Sequence, residues 1–205
     1  MEDVLDLYAE PFDPSHPVVC FDECPVQLVG ETRTPAPAAP GRKRRTDYEY
    51  RRNGTANLFM LVQPRAGWRE VTVTERRTKR EFAEQMRRLV DEHFPAAERI
   101  RVVLDNLNTH GPAALYEAFA PAMARRLTQR LEFHYTPLHG SWLNMAELEL
   151  ASLARQCLGR RLPDTATLET EVGAWQAPRN AQGATITWRF TVDDARLKLH
   201  RLYPA

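Results

Sequence analysis

A chain of 205 residues, 43% of them apolar, can bury a core of its own and predicts one domain with a short appendage. A formal net charge of +1 excludes a uniformly basic surface, and no run approaches the roughly 18 apolar residues of a membrane-spanning helix. The acidic start MEDVLDLYAE differs from the basic lead of a secretory signal, so a cytoplasmic protein is expected.

Residues 1–10 place Val4, Leu5, Leu7 and Tyr8 at helical spacing, and the prolines of PFDPSHP end the pattern, which makes residues 1–17 a short leading helix and linker. Val18 to Glu23 is the compact apolar run of a buried strand and closes on Asp22. A loop through Pro35, Pro37 and Pro40 then opens onto the cluster GRKRR. Arg42, Lys43, Arg44 and Arg45 either hold DNA phosphates there or are simply solvated. The β-branched and aromatic segments YEYRRN, TANLFMLVQP and WREVTVTE predict an antiparallel hairpin or meander from Tyr48 to Thr74, with Asn53-Gly54 as the turn between the first two.

Thr78 caps a predicted helix that runs to about His93, with Phe82, Met86, Leu89 and Val90 on one face. Ile100 to Leu104 reads as a central strand buried on both faces, closing on Asp105. Helices from about Pro112 to Phe119 and Met123 to Gln129 precede the short strand LEFHY. The helical stretch LNMAELELASLARQCL and a helix from Thr165 to Trp175 follow, and the tail 181–205 holds a short strand, ITWRF, and a closing helix, VDDARLKLHRLY. This order predicts an α/β domain over 18–180, a mixed sheet flanked by helices, with the tail packed on it.

Cys20, Cys24 and Cys157 are an odd count without a second pair at zinc spacing and read as buried or free thiols; His134 and His139 have no partner at ligand spacing either. The carboxylates are more informative. Asp22 and Asp105 each end an apolar strand, so if those strands are neighbours the two side chains converge at one end of the sheet. Glu147, on the following helix, completes an all-oxygen set suited to Mg²⁺. Each has an ordinary alternative, as a turn former or as half of an Asn144–Glu147 capping box. Glu149, two residues on, points away from Glu147 on a helix.

The stretches VVCFDE (18–23), VVLDNLNTHG (102–111), HYTPLHGSWLNMAELE (134–149) and WRFTVDDARLKLHRLYP (188–204) resemble those of bacterial insertion-sequence 630 transposases, relatives of the mariner elements. The resemblance implies an RNase H-like fold with Asp22, Asp105 and Glu147 as catalytic metal ligands, for Mg²⁺ or Mn²⁺, as two ions. The implied activity is cleavage at transposon ends and transfer of the freed 3′-hydroxyl to target DNA, by a homo-oligomer assembled on duplex DNA. Asn106, His110 and Asn144 are expected to support the ligands, and His139 and Trp142 to touch DNA or, for Trp142, to buttress the loop. The resembling transposases carry an N-terminal helix-turn-helix region, whereas only 21 residues precede Asp22. The expectation is therefore a catalytic half whose DNA-binding half comes from elsewhere, for example another reading frame. The alternative is a non-catalytic remnant that modulates full-length transposase.

Overall fold

A computed structural model describes residues 1–43 and 45–203. Five strands, β1 (Val18–Glu31), β2 (Tyr50–Gln63), β3 (Trp68–Thr74), β4 (Ile100–Leu104) and β5 (Leu131–Tyr135), form one sheet in the order β3-β2-β1-β4-β5. β1 to β3 are an antiparallel meander, while β4 and β5 run parallel to β1. The helices are α1 (Glu2–Ala9), α2 (Lys79–Arg88), α3 (Pro112–Ala118), α4 (Pro121–Arg130), α5 (Met145–Gln156), α6 (Thr165–Ala181) and α7 (Val192–Lys198).

Strand periodicity sorts the core into two layers, because successive side chains point to opposite faces. Val19 and Phe21 of β1 pack with Phe59, Leu61 and Phe82 on the face covered by α2, α3 and α4. Cys20 of β1 packs with Leu58, Met60 and Val103 on the face covered by α1, α5, α6 and α7. No helix among the described residues is long and apolar enough to cross a membrane.

The mixed α/β architecture is as expected, but several elements differ from the sequence reading. β1 does not stop at Glu23; it continues through Pro25 to Glu31, because its outer half pairs with β2 and forms a two-stranded ribbon beyond the sheet. Asn53-Gly54 is not a turn. It lies inside β2, opposite the register shift between Gln27 and Val29, so the positive φ of Gly54 (107°) serves a bulge. The actual β2–β3 turn closes at Gly67, whose φ is 67° and where a Cβ would stand 2.3 Å from the backbone carbon of Gly183.

The Thr78 capping box is present, and α2 passes into a π-helical turn, Leu89–His93. α6 runs six residues past Trp175 with Pro178 inside it, where the proline removes one i→i−4 hydrogen bond without ending the helix. ITWRF is not a strand. Ile186 donates one backbone hydrogen bond to Pro64, and the segment docks instead through aromatic contacts, Trp188 on Tyr8 at 5.3 Å and Phe190 on Trp142 at 5.5 Å.

Candidate active site

The two aspartates meet because of strand register. β1 and β4 pair in parallel through Cys20↔Val103, and counting two residues onward brings Asp22 level with Asp105. Both keep the parity of Cys20 and Val103, so both belong to the sheet face that carries α5. Asp22 is not at a strand end, as the sequence suggested. It sits where β4 has ended and β1 continues against β2, paired with Met60, on a more rigid support than a loop.

α5 brings the third carboxylate. Asn144 caps it, its Oδ1 accepting from the Ala146 amide at 3.1 Å, while its Nδ2 donates to the Phe21 carbonyl at 2.8 Å and approaches Asp22 Oδ2 at 3.4 Å. One buried side chain thus starts the helix and ties it to β1. Glu147 makes no return bond to the Asn144 amide, so there is no capping box to explain it; it stands exposed in the first turn of α5 without an ion-pair partner among the described residues.

The electrostatics show convergence. Burial, followed by the repulsion of Glu147, Asp105 and Glu23, pushes the Asp22 carboxyl up to about 7, against one backbone hydrogen bond from Glu23 that favours its charge. No cation pairs with Asp22 among the described residues. Neither do three His, Cys, Asp or Glu side chains among them close into a single ligand cage. The donor set fits a hard divalent cation, which prefers carboxylate oxygens and keeps several of its own waters rather than requiring a closed protein cage.

Asp105 is held from the other side. His110 Nδ1 lies 2.5 Å from Asp105 Oδ1, and its Nε2 lies 2.9 Å from Glu23 Oε2, an ion pair without hydrogen-bond alignment. The ring is buried between Phe21, edge-on at 5.1 Å, and Phe82, stacked at 5.0 Å. Burial opposes its charge, but the hydrogen bond to Asp105 and the charges of Asp105 and Glu23 outweigh that cost and raise its pKa to about 9. The imidazolium therefore donates from Nδ1 to Asp105, which it orients, and meets Glu23 through Nε2 as an ion pair. Sequence reasoning selected His110 but missed Glu23, which period-2 alternation turns away from Asp22 onto the His110 side.

The remaining candidates are scattered. Asn106 is exposed and makes no side-chain hydrogen bond among the described residues. His139 is exposed with φ of 60°, in the loop before α5. Trp142 is half-exposed and packs on Trp188 and Phe190, the arrangement of a buttress. Arg42, Lys43 and Arg45 are exposed in the loop at the tip of the β1–β2 ribbon, where the nine residue steps from Asp22 to Glu31 span roughly 30 Å. The structure does not bring them to the carboxylates, and Arg44 lies outside the described residues.

A mixed sheet with three antiparallel and two parallel strands, helices on both faces and acids gathered at the end of the parallel pair defines an RNase H-like domain. Residues 17–169, which include all three acids, match the family described as DDE superfamily endonuclease, and the chain belongs to that family. No curated protein matches the sequence significantly. The fold is similar to that of the Mos1 mariner paired-end complex with Mn, at TM-score 0.56 and 16% identity over 89% of this chain and 56% of that one. The Mos1 strand transfer complex gives 0.57 and 15% over 89% and 55%. A chain of the simian T-cell lymphotropic virus intasome gives 0.51 and 12% over 80% and 49%. This chain spans a little over half the length of the Mos1 chains.

Proposed function

We propose that the chain acts as the catalytic domain of a DDE transposase, cutting duplex DNA at element ends and joining the freed 3′-hydroxyl to target DNA, with Asp22, Asp105 and Glu147 as ligands of two divalent ions. The family membership supports DNA cleavage, and the neighbours, described as paired-end complexes with Mn and Mg and as a strand transfer complex, support the choice of metal and of DNA as partner. The observation that carries the reading is the half-buried Asp22 carboxyl, raised to about 7 beside Asp105 and Glu147, with no cation paired to Asp22 or Glu147 among the described residues.

When bound there, Mg²⁺ or Mn²⁺ would polarise the scissile phosphate and activate the attacking oxygen. The chain's own part is positioning. β1 holds Asp22, the His110 imidazolium holds Asp105, and Asn144 fixes the start of α5 so that Glu147 faces the same space. Water or a 3′-hydroxyl attacks phosphorus in line as the opposite P–O bond breaks, releasing a 3′-oxygen that takes up a proton. No protein nucleophile is required, and orientation with preorganised electrostatics supplies the rate.

Nicking of supercoiled plasmid by the purified chain in Mn²⁺, compared with Asp105→Asn, tests this. Wild-type nicking that disappears in the variant is expected, whereas equal nicking by both proteins would remove Asp105 from the reaction.

A further inference from the structure

The segment joining β3 to α2 and the first turn of α2 together place Arg76, Arg77, Lys79 and Arg80 within five residues. Lys79 pairs with Glu117 at 2.5 Å, and Glu81 is occupied by the Thr78 cap. Arg76, Arg77 and Arg80 are exposed and have no ion-pair partner among the described residues. Lys79 and Arg80 also stand in the first turn of α2, where the helix macrodipole already presents positive charge, so this clustering works against the stability of the empty protein.

The cations border an open groove of about 600 Å³. Arg77, Thr78, Lys79 and Arg80 line one wall, and Thr109 with Glu117 and Ala118 of α3 line the other. Thr109 belongs to the loop that carries Asp105 and His110. It lies four positions after Asp105, a chain reach of at most ~14 Å. A DNA strand advances ~3.4 Å per nucleotide along its axis, so a phosphate seated here falls within about four nucleotides of one at the carboxylates.

We infer that this groove grips the sugar-phosphate backbone of duplex DNA beside the scissile position, with Arg77 and Arg80 on phosphates and the Thr109 hydroxyl donating to one. The inference rests on the DNA-cleaving reading above and adds to it the surface that sets the register of the duplex on the site. Arginine forks suit phosphate oxygens, and phosphate contacts position a duplex without reading its sequence. The ribbon-tip cations, roughly 30 Å along β1 from Asp22, are too distant for that register.

The test titrates the full chain onto a fluorescent duplex of random sequence across a range of salt. Arg77→Ala/Arg80→Ala is compared with Arg42→Ala/Lys43→Ala, which removes equal charge at the ribbon tip. Loss of two phosphate contacts lowers the salt slope by about 1.8 in the groove variant, against a much smaller change in the ribbon variant. Arg77→Lys/Arg80→Lys keeps the charge and should recover most of the slope, and an unchanged rise in melting temperature with Mn²⁺ shows that the carboxylate site is intact. Equal losses in both double variants mean a general charge effect and overturn the groove. Wild-type binding that the groove variant retains in full overturns the groove alone, while a wild type that binds no duplex overturns the DNA reading with it.

Discussion

Two glutamates two residues apart on α5 are used in opposite ways. Glu149 is 3% exposed and lies between two arginines, 3.0 Å from Arg69 Nε and 2.9 Å from Arg179 Nη2. Arg69, itself fully buried, also reaches Asn180 at 3.3 Å and the Ala184 carbonyl, so the group joins β3, α5 and α6. The Arg69 contact is an ion pair without hydrogen-bond alignment. Glu147, turned about 200° around the helix, is exposed and faces acids instead of cations. The fold therefore neutralises the carboxylate it uses as scaffold and leaves uncompensated the one beside Asp22 and Asp105. Charge left unbalanced in a defined place, at a cost to stability, marks the site.

The sharpest way to break this contrast is to remove each acid in turn. Asp105→Asn or Glu147→Gln should lower Mn²⁺-dependent nicking by more than about a hundredfold, and Glu147→Gln should leave the melting temperature unchanged or higher, because repulsion is relieved. Glu149→Ala should do the reverse to the fold, costing about 3–5 kcal/mol in chemical denaturation, since it strands a buried arginine. A Glu149→Ala protein as stable as the wild type would refute the scaffold role.

Asp22 sharpens the comparison through pH. Its folded pKa of about 7 lies above the ordinary 3.8, so the folded state binds its proton more tightly than the unfolded one. Stability contributed by the neutral carboxyl is present at low pH, is lost as pH rises from about 4 to 7, and stays lost above that. Asp22→Asn avoids the penalty and should be more stable than the wild type at pH 8 by at most about 4 kcal/mol, with the gain fading toward pH 4. A constant difference across pH would contradict the raised pKa. Saturating Mn²⁺ should erase the wild-type penalty, as ligand linkage requires.

The smallest expected effect belongs to Glu23. Glu23→Gln weakens the anchor of His110 without removing a carboxylate from the α5 face, so Mn²⁺ affinity measured by calorimetry should fall about tenfold while the fold persists. Unchanged affinity would leave the Glu23–His110 contact as packing only.

Much of the catalytic end was legible beforehand, and the reasons are local. Alternation and apolar runs located β4, and the Thr78 box located α2. The prediction that Glu149 points away from Glu147 needed only helical geometry. The failures were non-local. Asn53-Gly54 looks like a hairpin turn in one dimension, yet opposite the β1 register shift it serves a bulge. Nothing in ITWRF told that its aromatics would dock on Tyr8 and Trp142 rather than let its backbone pair as a strand. Glu23 could not be tied to His110, 87 positions away, without knowing that β1 and β4 are parallel neighbours.

By itself the sequence determined the residue types of an all-oxygen metal site, the α/β order of elements and the family the chain joins, because propensity, periodicity and motif spacing are local properties. Only the tertiary structure decided which carboxylates converge. The parallel register of β1 and β4 brings Asp22 level with Asp105, the bond from Asn144 to Phe21 sets α5 against them, and desolvation with mutual repulsion appears only once those long-range contacts have formed.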